Sequence, residues 1–361
     1  MHVHFFMDSK IIDQTKLHQF MEKIVSDAGA AASAIHVIIG DKLGLYKAMA
    51  DVAGPISPKE LAKKTGTNER QIREWLAGQA AGGYVNYDPV TRLYHLPPEQ
   101  AYVLAEENSP VFIQGGFQII GSMFKDEAKI MEAMRTGKGL SWGDHDSSLY
   151  QGTERFFKPN YMANLTTSWI PALDGVETKL KKGAKVADIG CGHGITTLLM
   201  AKAYPNSTFY GFDYHQPSIE RARKSVEAEG IGNAVKFEVS TSTEYPSENY
   251  DVIAFFDCLH DMADPVAACS HALKSLDKDG TLFIVEPFAD DKTENNFNPL
   301  GRLCYSVSTA ICVPASLAFN GIALGAQAGE AKIKEVVTAA GFKRFKRAIQ
   351  TPFNLVYEAK P

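Results

Sequence analysis

Three things are scarce in this 361-residue chain, and each scarcity removes a class of function. Positive charge is one: Lys and Arg number 37 against 42 Asp and Glu, a formal net charge of −5. No global positive field is present to draw nucleic acid or anionic lipid. Cysteine is another. The five thiols, Cys191, Cys258, Cys269, Cys304 and Cys312, are odd in number and contain no C-x-x-C pair. Neither a disulfide framework nor a metal-ligand spacing is indicated, so no metal is expected. Reduced thiols in a cytoplasmic protein are the plain expectation. Long hydrophobic runs are the third. The longest, residues 307–324, is interrupted by Ser308, Thr309, Pro314 and Asn320, and no membrane span is expected there. The apolar start, Met1 to Met7, is too short for a secretory signal core and lacks a basic lead. Met7 is an alternative start.

Burial capacity is ample: 45% of residues are hydrophobic, and the length suits two domains. Residues 9–52 carry apolar positions at helical spacing, among them Phe20, Ile24, Ile35 and Ile39, with small residues across 28–34. That predicts one or two helices that pack on something large, for which a partner subunit is the natural candidate. Ser57-Pro58-Lys59-Glu60 has the form of a capping box, and Gly66 closes the short helix it opens. A second helix is expected over 68–81. Short strands at 84–87 and 93–96 flank the turn Asp88-Pro-Val-Thr91. Helix, turn, helix and hairpin outline a winged helix. The expected domains are 9–105, a helical connector at 106–180 contributing to the active-site cleft, and 181–361.

From Lys185 strands and helices alternate. Strands are predicted at 185–189, 208–213, 235–239, 250–256 and 281–286, with helices between them. This is the pattern of an α/β doubly wound, mostly parallel sheet. After an insertion at 287–328, a helix and two further strands complete seven.

The loop Asp188-Ile-Gly-Cys-Gly-His-Gly194 follows the first of these strands. Its glycines, Gly190, Gly192 and Gly194, allow a sharp turn and close approach to a ligand. The helix N-terminus behind them offers free N–H groups to an anion. The spacing is G-x-G-x-G, which fits a dinucleotide fingerprint poorly. Asp213 ends the second strand, 19 residues beyond Gly194, where a carboxylate can take both ribose hydroxyls. A tight strand-to-helix turn and a solvated acid are the bland alternatives.

From about Lys185 to Leu282 the chain resembles the class I S-adenosylmethionine-dependent methyltransferases, whose sheet is Rossmann-like. Gly40-Asp-Lys-Leu-Gly-Leu-Tyr46, Arg70 with Glu74-Trp-Leu76, and Leu96-Pro-Pro-Glu99 resemble the subfamily with an N-terminal winged-helix domain. The resemblance implies that Asp188, Gly190, Cys191, Gly192 and Gly194 frame the methionine part of the cofactor. Asp213 would hold the ribose and Tyr214 would lie against the adenine. Thr241 or Ser242 stands where many relatives carry an acid for the adenine amino group. Asp257 and Cys258 would close the site at the fourth strand.

Leu259-His-Asp261 resembles the segment that holds the catalytic histidine of plant-type small-molecule O-methyltransferases. His260 would then deprotonate an acceptor hydroxyl, with S-adenosylhomocysteine as the cofactor product. Glu286, 26 residues later, occupies the place of the acid that orients it. A structural histidine anchoring the loop is the alternative, and Asp261 reads as a helix cap. The insertion suits a lid over a small, fairly hydrophobic acceptor, or a packing element. The resemblance also implies a homodimer through the N-terminal domain.

Two rivals remain at this level. One is a winged-helix DNA-binding regulator whose second domain senses the cofactor. Residues 51–100 hold six basic and six acidic side chains, where phosphate binding needs an excess of bases. The other is a cofactor binder without catalysis. The chemical nature of the acceptor is not readable from the sequence.

Overall fold

In the computed structural model, residues 12–361 are described, and the chain divides into two compact units at Glu106/Glu107. The first seven residues, with the signal and start-site expectations attached to them, lie outside the described part.

The N-terminal unit is helical. Helix α1 spans Gln14–Lys42 and α2 spans Leu45–Val52. Helix α3, Pro58–Thr65, begins with the predicted capping box: Ser57 accepts from Glu60 N–H, and the Glu60 carboxylate accepts from Ser57 N–H at 2.9 Å. Helix α4, Glu69–Ala81, is capped by Asn68. Strands β1, Asn86–Asp88, and β2, Leu93–His95, pair antiparallel, and Ile56 bridges to Tyr94 as a third edge. Helix α5, Pro98–Leu104, follows. This is the expected winged helix. Its core gathers Val37, Leu45, Met49, Leu61, Trp75 and Leu76. Trp75 donates to the His36 carbonyl at 2.9 Å, which locks α4 onto α1.

The second unit opens with α6, Gln114–Lys125, α7, Glu127–Thr136, and α8, Ser148–Asn164. Helix α8 runs into a π turn at Leu165–Trp169. Helices α6 and α8 meet at two glycines. A Cβ on Gly115 would stand 2.3 Å from the Phe156 nitrogen, so the backbones touch there. Gly115→Ala should therefore destabilise the unit by about 3 kcal/mol, the upper range for overpacking, because backbone cannot yield as a side chain does. Urea unfolding checks this; a midpoint equal to the parent's would refute the contact.

Helix α9, Val176–Lys182, leads into the sheet. Strands β3 (Lys185–Ile189), β4 (Thr208–Asp213), β5 (Val235–Val239) and β6 (Tyr250–Phe256) coincide with the predicted ranges. Helix α10 (Ile195–Ala203) links β3 to β4, α11 (Gln216–Glu229) links β4 to β5, and α12 (Pro265–Ser275) follows β6. Strand β7 is longer than expected, Leu276–Pro287. The insertion is helical: α13 (Pro299–Val307), a π turn at Ser308–Cys312, and α14 (Val313–Leu317). Helix α15 (Gly329–Ala339) and strands β8 (Arg344–Gln350) and β9 (Asn354–Lys360) complete the unit.

The strand order is β5-β4-β3-β6-β7-β9-β8. Strands β3 to β7 are parallel, and β9 pairs antiparallel to both β7 and β8. The order reverses beside β3, which puts the binding crevice at the carboxyl ends of β3, β4 and β6. One core face collects Trp169, Val186, Phe209 and Phe256, and the other Ile189, Phe255, Ile284 and Val337. Tyr161, Leu165 and Trp169 of the connector belong to the first face, so residues 107–180 fold as part of this unit.

Two helical stretches, Gln14–Lys42 and Pro299–Leu317, are long and apolar enough by length and composition to cross a membrane. The second is a packing element of this fold: Ala310 and Ile311 join a buried cluster with Ile119 and Leu149.

Candidate active site

A cavity of about 520 Å³ opens at the carboxyl ends of the parallel strands. Its floor is the glycine loop. Gly190, Gly192 and Gly194 all take left-handed backbone angles, with φ of 71°, 53° and 79°. A Cβ on Gly194 would strike the Phe237 ring at 2.3 Å, and one on Gly190 would meet the Cys258 sulfur at 2.9 Å. At Gly192 nothing lies within 4 Å, because that position faces the open cavity. The loop is thus tight on its protein side and open on its ligand side. A nucleoside-bearing ligand needs that arrangement.

Asp213 stands beside the loop and lines the cavity. Its carboxylate accepts from Gly192 N–H at 2.9 Å and from His215 N–H at 2.8 Å. Burial raises its pKa against the pull of these two donors. Tyr214 lies at the rim, 44% exposed, with its ring edge-on to Phe319 of the insertion at 5.7 Å. An aromatic ring left this open beside an acid suits a flat heterocycle.

Asp188 sits behind the loop and is not part of the cavity wall. Thr196 and Thr197 hydroxyls both donate to its Oδ2 at 2.6 Å, while its buried Oδ1 accepts nothing. Burial drives this carboxyl up to about 6, although the two threonines lower it. Its structural effect is to fasten the start of α10 to the end of β3. Cys191 and Cys258 line the cavity, and the Cys258 thiol donates to the Ile189 carbonyl at 3.2 Å.

Thr241 and Ser242 also line the cavity, as does Glu244. The Thr241 hydroxyl donates to the Glu244 carboxylate at 2.8 Å. A carboxylate therefore does reach the place where the sequence offers only hydroxyls. It comes from three residues further on, through the turn after β5, and motif position alone does not reveal it.

Asp257 also lines the wall. Its φ of 49° is left-handed, an uncommon angle for a residue with a Cβ. Tyr161 donates to its Oδ2 at 2.7 Å and Asn354 to its Oδ1 at 3.1 Å. Burial and then the neighbouring Glu286 charge push it up to about 7, while Tyr161 pulls it down. The connector supplies further wall residues that sequence motifs did not mark. Glu154 pairs with His193 at 2.8 Å, and Trp142, Tyr150, Lys158 and Tyr161 stand near them. They lie on α8 and the turn before it, which carry no recognisable motif.

His260 is 3% exposed, on the turn after β6, and is not itself in the cavity wall. Its Nδ1 is bonded to the Glu286 carboxylate, whose other oxygen accepts from Leu259 N–H at 3.0 Å. Its Nε2 lies 3.0 Å from Asp261 Oδ1, and Asp261 does line the cavity. Burial opposes charge on His260, but Asp261 and Glu286 outweigh it and raise its pKa well above the ordinary value. Asp261 is not a helix cap. Asp264 caps α12 instead, accepting from Ala267 N–H at 2.8 Å, because only Asp264 immediately precedes the first helical turn.

The methyltransferase domain family matches residues 180–341, and the Rv2258c-like winged HTH domain family matches residues 31–106. The chain is similar to the ubiquinone biosynthesis O-methyltransferase of Actinobacillus pleuropneumoniae serotype 5b (strain L20). Identity is 31% over 134 residues, covering 35% of this chain and 54% of that protein. It is 26% identical over 143 residues to the 27-O-demethylrifamycin SV methyltransferase of Amycolatopsis mediterranei (strain S699), covering 39% of this chain and 47% of that one. The chain thus spans about half the length of the curated relatives it matches.

Among solved structures, the mitomycin 7-O-methyltransferase superposes with a TM-score of 0.71 at 17% identity, covering 97% of this chain and 100% of its own. Human N-acetylserotonin methyltransferase, solved with S-adenosylmethionine, gives 0.65 at 16% identity, covering 97% and 99%. These two share the fold. Residues 180–341 therefore match the methyltransferase domain family and residues 31–106 the Rv2258c-like winged HTH domain family, on the fold of the solved O-methyltransferases.

Proposed function

We propose that this protein transfers the methyl group of S-adenosylmethionine to a hydroxyl of a small-molecule acceptor. One observation carries the reading. The glycine loop and Asp213 share a cavity with Asp261, behind which stand His260 and Glu286. The bound cofactor supplies an electrophilic methyl on a sulfonium. Asp213 and the carboxylate of Glu244 suit its nucleoside, and the open face at Gly192 admits its amino-acid part. Cys191, Tyr214, Asp257 and Cys258 wall the same space.

His260 is the base in this reading. Glu286 fixes its ring through Nδ1, so Nε2 is the end that receives the acceptor's proton. Asp261 stands between Nε2 and the cavity and stabilises the imidazolium formed. Ala315 and Phe319 bring the insertion to the cavity, which favours the lid over a pure packing role.

The test is transfer of a labelled methyl from the cofactor to a panel of small phenols and alcohols, measured against pH. A base must be neutral to act, and His260 holds its proton to higher pH than a free imidazole. The rate should therefore be low in acid and rise with pH through an apparent pKa above the usual histidine range. Absence of label in every acceptor would sink the function, and a rate independent of pH would remove His260 as base.

The winged helix serves assembly rather than DNA in this reading. On α4, Arg70 pairs with Glu74 at 2.5 Å and Arg73 with Glu69 at 2.6 Å, so the helix presents as many acids as arginines beside one another. Helix α1 instead exposes Phe20, Ile24, Val25 and Ile35, each at least 43% accessible. Such an apolar row suits a second copy of the chain. Light scattering should give a dimer mass, and a monomer at micromolar concentration would contradict this.

A further inference from the structure

His260 and Asp261 have a third neighbour that the methyl-transfer reading does not use. Cys312 comes from the π turn of the insertion, and its sulfur, a His260 nitrogen and an Asp261 oxygen all lie within 4.8 Å of one another. We propose that His260, Asp261 and Cys312 form a binding site for a thiophilic divalent cation of the zinc type, and that occupation of this site switches off methyl transfer. The inhibitory half rests on the reading of His260 as base; the site itself does not.

Four observations support it. First, the donor set of imidazole, carboxylate and thiol is the soft-to-borderline mixture that zinc selects over magnesium or calcium. Second, the buried Asp261 Oδ1 stands only 3.0 Å from His260 Nε2. Tetrahedral zinc with bonds of about 2.0–2.3 Å places its nitrogen, oxygen and sulfur ligands about 3.3–3.7 Å apart. The three donors, all within 4.8 Å of one another, reach that spacing with small side-chain adjustments.

Third, the far nitrogen of His260 is held by Glu286. Metal-bound histidines almost always have such a carboxylate or carbonyl partner, which fixes the ring and raises its basicity. Fourth, the two segments are tied together. Gly325 N–H donates to the His260 carbonyl at 3.2 Å, and Ser316 to the Met262 carbonyl at 2.9 Å. The site is therefore assembled on ordered backbone. Asp261 lines the cavity, so the fourth position opens to water.

The charges balance. On binding, the Cys312 S–H bond and the His260 Nε2–H bond break, both protons pass to buffer, and sulfur–metal and nitrogen–metal bonds form. The thiolate and the Asp261 carboxylate offset the two positive charges, with His260 neutral. The metal then occupies the Nε2 lone pair that would accept the acceptor's proton. Turnover stops while the cofactor contacts at Asp213 stay intact.

The experiment uses full-length protein freed of metal with a chelator. Cobalt(II) is the probe, and zinc is added afterwards. A thiolate-to-cobalt charge-transfer band with tetrahedral visible bands, both erased by zinc, is the expected result. Cys312→Ser should lose the charge-transfer band and weaken zinc binding by at least about tenfold. Its metal-free turnover should match the parent's, and zinc should no longer inhibit it. Cys304→Ser, a control on a nearby thiol, should keep both band and inhibition. No charge-transfer band in the parent protein would overturn the site. Zinc binding that leaves turnover unchanged would overturn the switch. If Cys312→Ser does not fold, protection of the Cys312 thiol from alkylation by zinc decides the same question. If the protein methylates no acceptor, the cobalt spectrum still tests the site, so the two failures are distinguishable.

Discussion

His260→Ala is expected to lower the turnover number roughly 10²-fold or more, the usual scale for losing a general base, with cofactor affinity unchanged. The separation follows from position. The ion-pair partners of His260 are Glu286 and Asp261, neither of which belongs to the glycine loop. Alanine leaves one Glu286 oxygen bonded to Leu259 N–H, but its other oxygen loses its partner inside the protein. Some loss of stability is therefore expected, since a buried carboxylate without its partner is costly. The decisive readout is thus the contrast between turnover and the calorimetric Kd for S-adenosylhomocysteine at a temperature where the variant is folded. Turnover within a few-fold of the parent's would leave His260 only its structural role.

Asp213→Ala should do the reverse and remove measurable cofactor binding. Two effects add. The carboxylate proposed to hold the ribose hydroxyls disappears, and hydrogen bonds to a charged group contribute about 1.5–3 kcal/mol each. Two such bonds amount to roughly two to four orders of magnitude in Kd. The same substitution also leaves the Gly192 and His215 N–H groups without their acceptor, so the loop is held to β4 only through the Gly190 and Cys191 N–H bonds to the Phe212 carbonyl. Asp213→Asn keeps one acceptor oxygen and should fall between the two. Near-native affinity of the alanine variant, by calorimetry with S-adenosylhomocysteine, would sink the assignment of this cavity.

The legibility of these residues differed for physical reasons. The glycine loop and Asp213 could be read because their chemistry is local. A strand of buried apolar residues, a turn that needs positive φ and a strand-end acid all lie within short spans. The central strands β3 and β6 were equally plain, since strands covered on both faces read as apolar runs, and the edge strand β5 showed itself by alternation, with Val235 and Phe237 buried between exposed Lys236 and Glu238. The capping box of α3 was legible for the same reason. Its partners are three residues apart, and no distant residue decides it.

Other features were settled at a distance. Helix α8 carries no motif, yet it delivers Glu154, Lys158 and Tyr161 to the cavity because Gly115 lets α6 pack against it backbone to backbone. Glu244 stands off the expected motif position, and only the turn after β5 brings it beside Thr241. Asp261 reads as a cap in the sequence, but α12 starts at Pro265 and takes Asp264 instead.

The sequence by itself determined the class of sheet, the winged helix and the glycine-loop cofactor motif, because periodicity, capping and turn chemistry act between near neighbours along the chain. Tertiary structure alone decided that Asp261 stands between His260 and the cavity. It alone brought Cys312, 52 residues away, to the same two side chains. No spacing rule encodes that meeting, since it depends on how the insertion folds back over the carboxyl end of β6.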